Sequence, residues 1–185
     1  MSNTRLDQFD ASVGFDRGRS KAVEAVWYVL KCVLFLSPLP WPSRLKCLVL
    51  RVFGGKVGAG VTIKPRVNIH FPWKLEVGDW CWLGEEVFIL NFEPVKIGAS
   101  ACISQRAFLC GGNHDFRDQT FRFRNAPIAI GDGAWVGAQS FVGPGVIVGD
   151  EAVITAGSVV TKSVPENEVV SGNPAAQVGV RWKQN

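Results

Sequence analysis

The chain has 185 residues, 47% apolar and 19% charged, which excludes a disordered polypeptide and allows one domain with a sizeable core. The formal charge is only +4, and no long basic run, finger or RNA-binding motif accompanies it, so no nucleic-acid partner is expected. Five cysteines, an odd number without a C-x-x-C pair, are expected as buried, reduced thiols of a cytoplasmic protein.

In chain order, residues 1–21 are polar and carry Asp7, Asp10, Arg17 and Arg19, unlike a secretion signal. Residues 21–36 and 43–53 read as two apolar helices joined by Pro38-Leu39-Pro40-Trp41-Pro42, and Gly54-Gly55 ends the second. The uncharged stretch after Lys31 is too short to span a bilayer. In the second helix Arg44, Lys46 and Arg51 are mixed with Leu45, Leu48, Val49 and Val52. This pattern suits a cap laid over an unpaired strand edge, the favoured reading. It also suits a basic helix in peripheral contact with a membrane, which would place the protein at the inner membrane face.

From residue 57 an aliphatic residue recurs every six positions. Val57, Ile63 and Ile69 form one set; a slip of two leads to Val77, Leu83 and Ile89, and another to Ile97, Ile103 and Leu109. After a step of 21 positions the register resumes with Ile130, Val136, Val142, Val148, Ile154 and Val160, each followed by Gly or Thr. A period of six fits neither a helix nor a flat sheet. It fits a triangular solenoid with one short strand and one turn per side, aliphatic side chains stacked inward, and small residues at tight corners. The slips come after every third repeat, so five coils fit between Val57 and Pro165.

The gap holds a loop, residues 110–127, with a Gly pair, three Phe and His114. Long loops in compact domains are usually functional, and imidazole is the side chain whose ordinary pKa suits proton transfer near neutral pH. The other histidine, His70, lies beside Phe71-Pro72-Trp73 and reads as structural or as part of a substrate rim. Two histidines without a Cys/Asp/Glu cluster fall short of the three protein ligands of catalytic zinc, so no metal is expected. Asn91, at a corner of the second coil, is a turn residue or a site residue.

Residues 57–165 resemble the hexapeptide-repeat acyltransferases, and the run Gly112-Asn113-His114-Asp115 resembles the sugar O-acetyltransferase version. Leu6-Asp7, Gly18-Arg19-Ser20-Lys21, Val26-Trp27-Tyr28, residues 73–79 and Ala126-Pro127-Ile128 extend the likeness, over nearly the whole chain, to colanic-acid-type acetyltransferases. The resemblance implies an all-β fold: a left-handed parallel β-helix of about five coils (residues 56–166) with the protruding loop 110–127. An N-terminal helical cap (1–55) and a C-terminal tail (167–185) flank it. It implies a homotrimer that transfers an acetyl group from acetyl-CoA, without a metal, to a sugar or glycan precursor for exopolysaccharide assembly.

By the same resemblance His114 is the general base. Asn91, matching the Ala-Asn-Phe of galactoside and maltose acetyltransferases, meets the acceptor and helps hold transition-state charge. Trp135 and Asp115 lie on the substrate side, Ala138 and Ala156 contact the pantetheine arm through their backbones, and Thr161 and Lys162 meet the nucleotide end. The tail Ser171-Gly172-Asn173-Pro174-Ala175 matches the family's close, but Ala176 and Gln177 stand where a basic residue usually meets the 3′-phosphate. Arg181 and Lys183 are the nearby substitutes. An antibiotic or amino-sugar acetyltransferase of the same fold, and a non-catalytic β-helix scaffold, are the alternatives.

Overall fold

The structure is a computed structural model that describes residues 4–183. Each hexad forms one side of a triangular coil: two or three extended residues, then a turn. The first coil is β1 (Lys56–Val57), β2 (Thr62–Ile63) and β3 (Asn68–Ile69); the second is β4 (Leu75–Val77), β5 (Trp82–Leu83) and β6 (Phe88–Leu90). The third is β7 (Val95–Ile97), β8 (Cys102–Ile103) and β9 (Phe108–Cys110); the fourth is β10 (Ile128–Ile130), β11 (Trp135–Val136) and β12 (Phe141–Val142). The fifth is β13 (Ile147–Val148), β14 (Val153–Ile154) and β15 (Val159–Val160). A partial sixth turn follows, in which β16 (Glu168–Gly172) pairs in parallel with β14, and β17 (Ala175–Val180) folds back antiparallel on β16.

Every third strand pairs with its equivalent one coil away, which makes three faces. The first is β1-β4-β7-β10-β13, the second β2-β5-β8-β11-β14-β16-β17, and the third β3-β6-β9-β12-β15. The hexad aliphatics stack inside as expected: those of the second and third faces, from Ile63 and Ile69 to Ile154 and Val160, are at most 2% exposed. They form one continuous core that also takes in Trp27, Phe35 and Leu50 of the helical segment.

The recurrent glycines serve a purpose that periodicity alone does not show. Gly78 has no left-handed backbone, but a Cβ built there would stand 2.6 Å from the amide nitrogen of Ala99 in the next coil. Close coil-to-coil approach, not the corner's dihedrals, demands glycine. In the first four coils the left-handed corner positions between the second and third faces instead hold Arg66, Glu86, Arg106 and Gln139, at φ between 59° and 61°, and only the fifth holds a glycine, Gly157. The flanking ladder hydrogen bonds over-determine that conformation.

The helical segment caps the open edge of the first coil. Helix α1 (Lys21–Leu30) opens on Ser20, whose hydroxyl accepts the Val23 N–H, and continues as a π-helical turn, Lys31–Phe35. Helix α2 (Ser43–Val52) lies against β1 and β2. An end coil leaves backbone groups without a neighbour, and α2 supplies partners. The fully buried Lys46 ammonium donates to the carbonyls of Ile63 and Lys64, at 3.2 and 2.9 Å. Arg51 donates to those of Val57 and Gly58, at 2.8 and 2.7 Å, and the Ser43 hydroxyl accepts the Ile63 N–H at 3.0 Å. Away from the coil Val26, Val29, Val33, Leu48 and Val52 are exposed. Among the described residues no helix is long and apolar enough to cross a membrane. All five cysteines are free thiols, but against the expectation of burial Cys102 is only half-buried and Cys32 is exposed, on the outer side of the π-helical turn.

Candidate active site

The loop leaves the solenoid at the corner between the third and first faces, from β9 to β10. It closes on itself as an irregular hairpin: the N–H of Asp115 donates to Arg122 O (2.8 Å), that of Arg124 to Asn113 O (2.8 Å) and that of Ala126 to Gly111 O (3.0 Å). Asp115 and Asp118 brace its tip by accepting the N–H groups of Arg117 and Thr120. The N-terminal segment crosses the hairpin: the Arg5 N–H donates to Gln119 O at 2.7 Å, and the Phe9 ring lies edge-on to those of His114 and Phe123, at 5.3 and 5.2 Å.

His114 is half-buried in this hairpin, stacked on Phe121 with ring centroids 4.4 Å apart and planes 10° apart. Its Nδ1 stands 2.6 Å from the carbonyl oxygen of Phe121. A carbonyl can only accept, so Nδ1 carries the hydrogen and the neutral ring keeps its lone pair on Nε2. Nε2 forms no hydrogen bond among the described residues. An oriented imidazole with an unoccupied basic nitrogen is the arrangement a general base requires.

Comparison with known proteins identifies the family. Residues 127–162 match the model of the hexapeptide repeat of succinyl-transferase. Over 176 residues the chain is 40% identical to an Escherichia coli (strain K12) protein provisionally named a colanic acid biosynthesis acetyltransferase, covering 95% of this chain and 96% of that one. The chain belongs to the hexapeptide-repeat acetyltransferases. Among solved structures it is similar to a maltose O-acetyltransferase from Clostridium difficile 630, with 25% identity and a TM-score of 0.79 over 89% of this chain and 90% of that one. A hexapeptide-repeat acetyltransferase of Vibrio cholerae O1 biovar eltor, complexed with acetyl coenzyme A, shares the fold with a TM-score of 0.81 and 24% identity over 99% of this chain and all of that one.

Within this acetyltransferase the residues singled out from sequence fall into separate groups. Asn91 is fully buried at the same corner as the loop base, one coil earlier. Its Oδ1 accepts the Phe71 N–H at 2.9 Å and its Nδ2 donates to Phe71 O at 2.5 Å. The amide therefore pins the backbone of Phe71, whose ring carries Phe15 and the Arg17 guanidinium. Asp115 is partly committed, accepting the Arg117 N–H at 3.0 Å with the Arg122 guanidinium 4.0 Å away. Trp135 sits on the outer row of the second face, 48% exposed, with its indole N–H on the Ser104 hydroxyl at 2.9 Å.

Ala138 and Ala156 lie one coil apart at the corner between the second and third faces, where the Gly157 N–H donates to Ala138 O. Thr161 and Lys162 occupy the loop's corner two coils beyond it, both exposed. Thr161 lines a groove of about 540 Å³ at the loop base with Cys110, Asn113, Asn125 and Phe141. There Asn125 accepts the Asn113 N–H at 3.0 Å, and its Nδ2 is buried without a partner among the described residues. Burial pushes the Cys110 thiol up, and its S–H donates to Gly112 O at 3.2 Å, so it is no nucleophile for a covalent relay. Arg181 is turned away from both corners: it pairs with Glu151 at 3.0 Å and donates to Gly133 O. The β17 hairpin aims it at the corner between the first and second faces. Among the described residues no group of three His, Cys, Asp or Glu converges to hold a metal ion.

Phe121 and the N-terminal Phe9 and Phe15 were not legible as site residues. Phe121 acts through its backbone, which no residue type announces, and the other two reach the loop from more than a hundred residues away. Isolated aromatics in the polar stretch 4–20 are the signal that marks them.

Proposed function

We propose that the protein transfers the acetyl group of acetyl-CoA to a hydroxyl of a sugar that is built into an extracellular polysaccharide. The His114–Phe121 contact carries this reading, because a tautomer-locked imidazole suits deprotonation of a neutral hydroxyl and a mere scaffold has no use for it. His114 Nε2 takes the hydroxyl proton as the oxygen attacks the thioester carbon. The tetrahedral intermediate collapses, the C–S bond breaks, and the proton passes from His114 to the departing thiolate, leaving the O-acetyl sugar and CoA. Colanic acid and maltose, in the names of two relatives, supply the sugar acceptor class. The Vibrio neighbour's complex supplies the donor.

The active unit is a homotrimer with its sites between chains. In one chain Ala138 and Ala156 stand at one corner while His114 and Thr161 stand at the next. From Ala156 to Thr161 five residues span at most about 17 Å, the width of the third face. A groove that holds the donor arm against the first corner reaches His114 when a second chain sets its loop corner beside it. Asp115, Trp135 and Lys162 line that groove, and Asn91 acts there by fixing the Phe71 wall. The protein works in the cytoplasm, and the exposed row Val26, Val29 and Val33, with Leu48 and Val52 of α2, rests on the inner membrane face.

Incubating the protein with acetyl-CoA and a panel of sugars, with CoA release and product masses as readouts, tests the reading. A mono-acetylated sugar formed only with the protein is the expected result. Release of CoA no faster than in buffer, across neutral, nucleotide-linked and lipid-linked sugars, would overturn it.

A further inference from the structure

A second cavity, of about 340 Å³, lies between α1 and the first coil, and is lined by Arg17, Lys21, Glu24, Lys31, His70 and Phe71 among others. That volume is within the range of small-molecule sites. Its charges do not balance. Arg17 and Glu24 cancel through paired hydrogen bonds of 2.5 to 3.0 Å. Lys21 and Lys31 remain without an acid. Lys31 is the telling residue: it is 6% exposed, and its ammonium, which opens on the cavity, has no hydrogen bond or ion pair among the described residues, with the Tyr28 ring 5.4 Å away. A partly desolvated ammonium without an acid favours an anion beside it.

A row of packed aromatic rings, with Phe15 against Phe92 and Phe123, runs from the cavity's His70 toward the general base. The His70 ring is 4.9 Å from Phe92, Phe92 is 6.2 Å from Phe123, and Phe123 is 4.9 Å from His114. The Trp27 indole N–H holds the His70 carbonyl at 2.9 Å, which fixes the near end of this aromatic strip.

We infer that this cavity binds a phosphate or diphosphate group carried by the acceptor, so that the enzyme acetylates a phosphorylated sugar in preference to a neutral one. The anion sits against Lys31, Lys21 and His70, and the sugar lies along the Phe92 and Phe123 rings with one hydroxyl toward His114. Two unpaired ammonium groups and an imidazole around one small space suit the many oxygens of a phosphate better than a single carboxylate. The inference rests on the acetyl-transfer reading above for its consequence in catalysis, but the anion site is testable without it.

The experiment has a binding arm and a kinetic arm, both on the full chain. Inorganic pyrophosphate is titrated by calorimetry, and acetyl transfer is measured onto nucleotide-linked, polyprenyl-diphosphate-linked and free hexoses. Pyrophosphate is expected to compete with the acceptor and not with acetyl-CoA. Lys31→Met is expected to raise KM for the phosphorylated acceptor at least tenfold and leave KM for acetyl-CoA unchanged, with Lys31→Arg restoring most of the loss. Should Lys31→Met fail to fold, the exposed Lys21→Met shifts KM the same way by about threefold. The two diphosphate acceptors carry the same anion, and the higher kcat/KM identifies the source.

Absence of pyrophosphate binding, competition against acetyl-CoA alone, or equal use of free hexoses would overturn the inference while leaving acetyl transfer intact. Pyrophosphate binding abolished by Lys31→Met in a protein that acetylates none of the sugars would uphold the anion site and overturn the transfer reading instead.

Discussion

His114 Nδ1 meets the carbonyl oxygen of Phe121 at 2.6 Å, seven residues along a loop that folds back on itself to make the contact. The hairpin bonds between Asp115 and Arg122 and between Asn113 and Arg124 hold both partners in place. One backbone acceptor thus decides which ring nitrogen is basic. Replacing His114 by Ala is expected to lower kcat by about 10²–10⁴, the range for loss of a general base, with the melting temperature close to wild type. Turnover near wild type would remove His114 from the mechanism.

The separation of the two corners predicts complementation. Ala138→Trp fills the donor side and is expected to raise KM for acetyl-CoA by about tenfold or more, with little loss of stability because Ala138 is only half-buried. His114→Ala spoils the other side. Each variant alone is impaired at every groove, but mixed trimers should regain activity at grooves that join two intact halves. Subunit exchange confirmed by mass spectrometry, without any recovered activity, would place the whole site in one chain; a monomer by light scattering at micromolar concentration would do the same.

Asn91 can be assigned by separating stability from rate. Asn91→Ala leaves the buried N–H of Phe71 without a partner and its C=O with only the Lys74 N–H at 3.1 Å, which is expected to cost about 1–3 kcal/mol in chemical denaturation. A direct role on the substrate would show the reverse: a lower kcat at an unchanged denaturation midpoint.

Acid should destabilise the protein through His70. Burial against Phe71 and Phe92 lowers its pKa to about 4, and the charges of Lys31 and Arg17 push the same way, against Glu24. Between pH 6.5 and 4 the unfolded chain binds a proton there that the folded chain refuses. Stability contributed by neutral His70 is therefore complete above pH 6.5 and falls as pH drops toward 4, by up to about 3 kcal/mol. Thermal melts of wild type and His70→Gln across this window should converge at low pH. Parallel curves would show that His70 titrates normally.

The sequence by itself determined the solenoid. A six-residue aliphatic period leaves one way to bury every hydrophobic side chain, so Val57 to Val160 specify three faces and five coils without outside information. The same period isolated the loop, since residues 110–127 are the one long stretch out of register, and thereby singled out His114. It also placed Ala138 and Ala156 one coil apart, which is arithmetic on the period.

Only the tertiary structure decided what these residues meet. That Asn91 holds Phe71, that Phe121 O sets the tautomer of His114, and that Lys46 and Arg51 satisfy the carbonyls of the first coil all depend on backbone atoms, which every residue type shares. The clearance at Gly78 is a distance between coils, so a corner rule reads it for the wrong reason. The cavity around Lys31 forms where α1 meets a coil 40 residues later in the chain, and a lysine in a helix reads as a solvated charge until its surroundings are known. Periodicity reports which side of an element is buried; it does not report which buried polar atoms find one another, and the chemistry of this protein lies in those pairings.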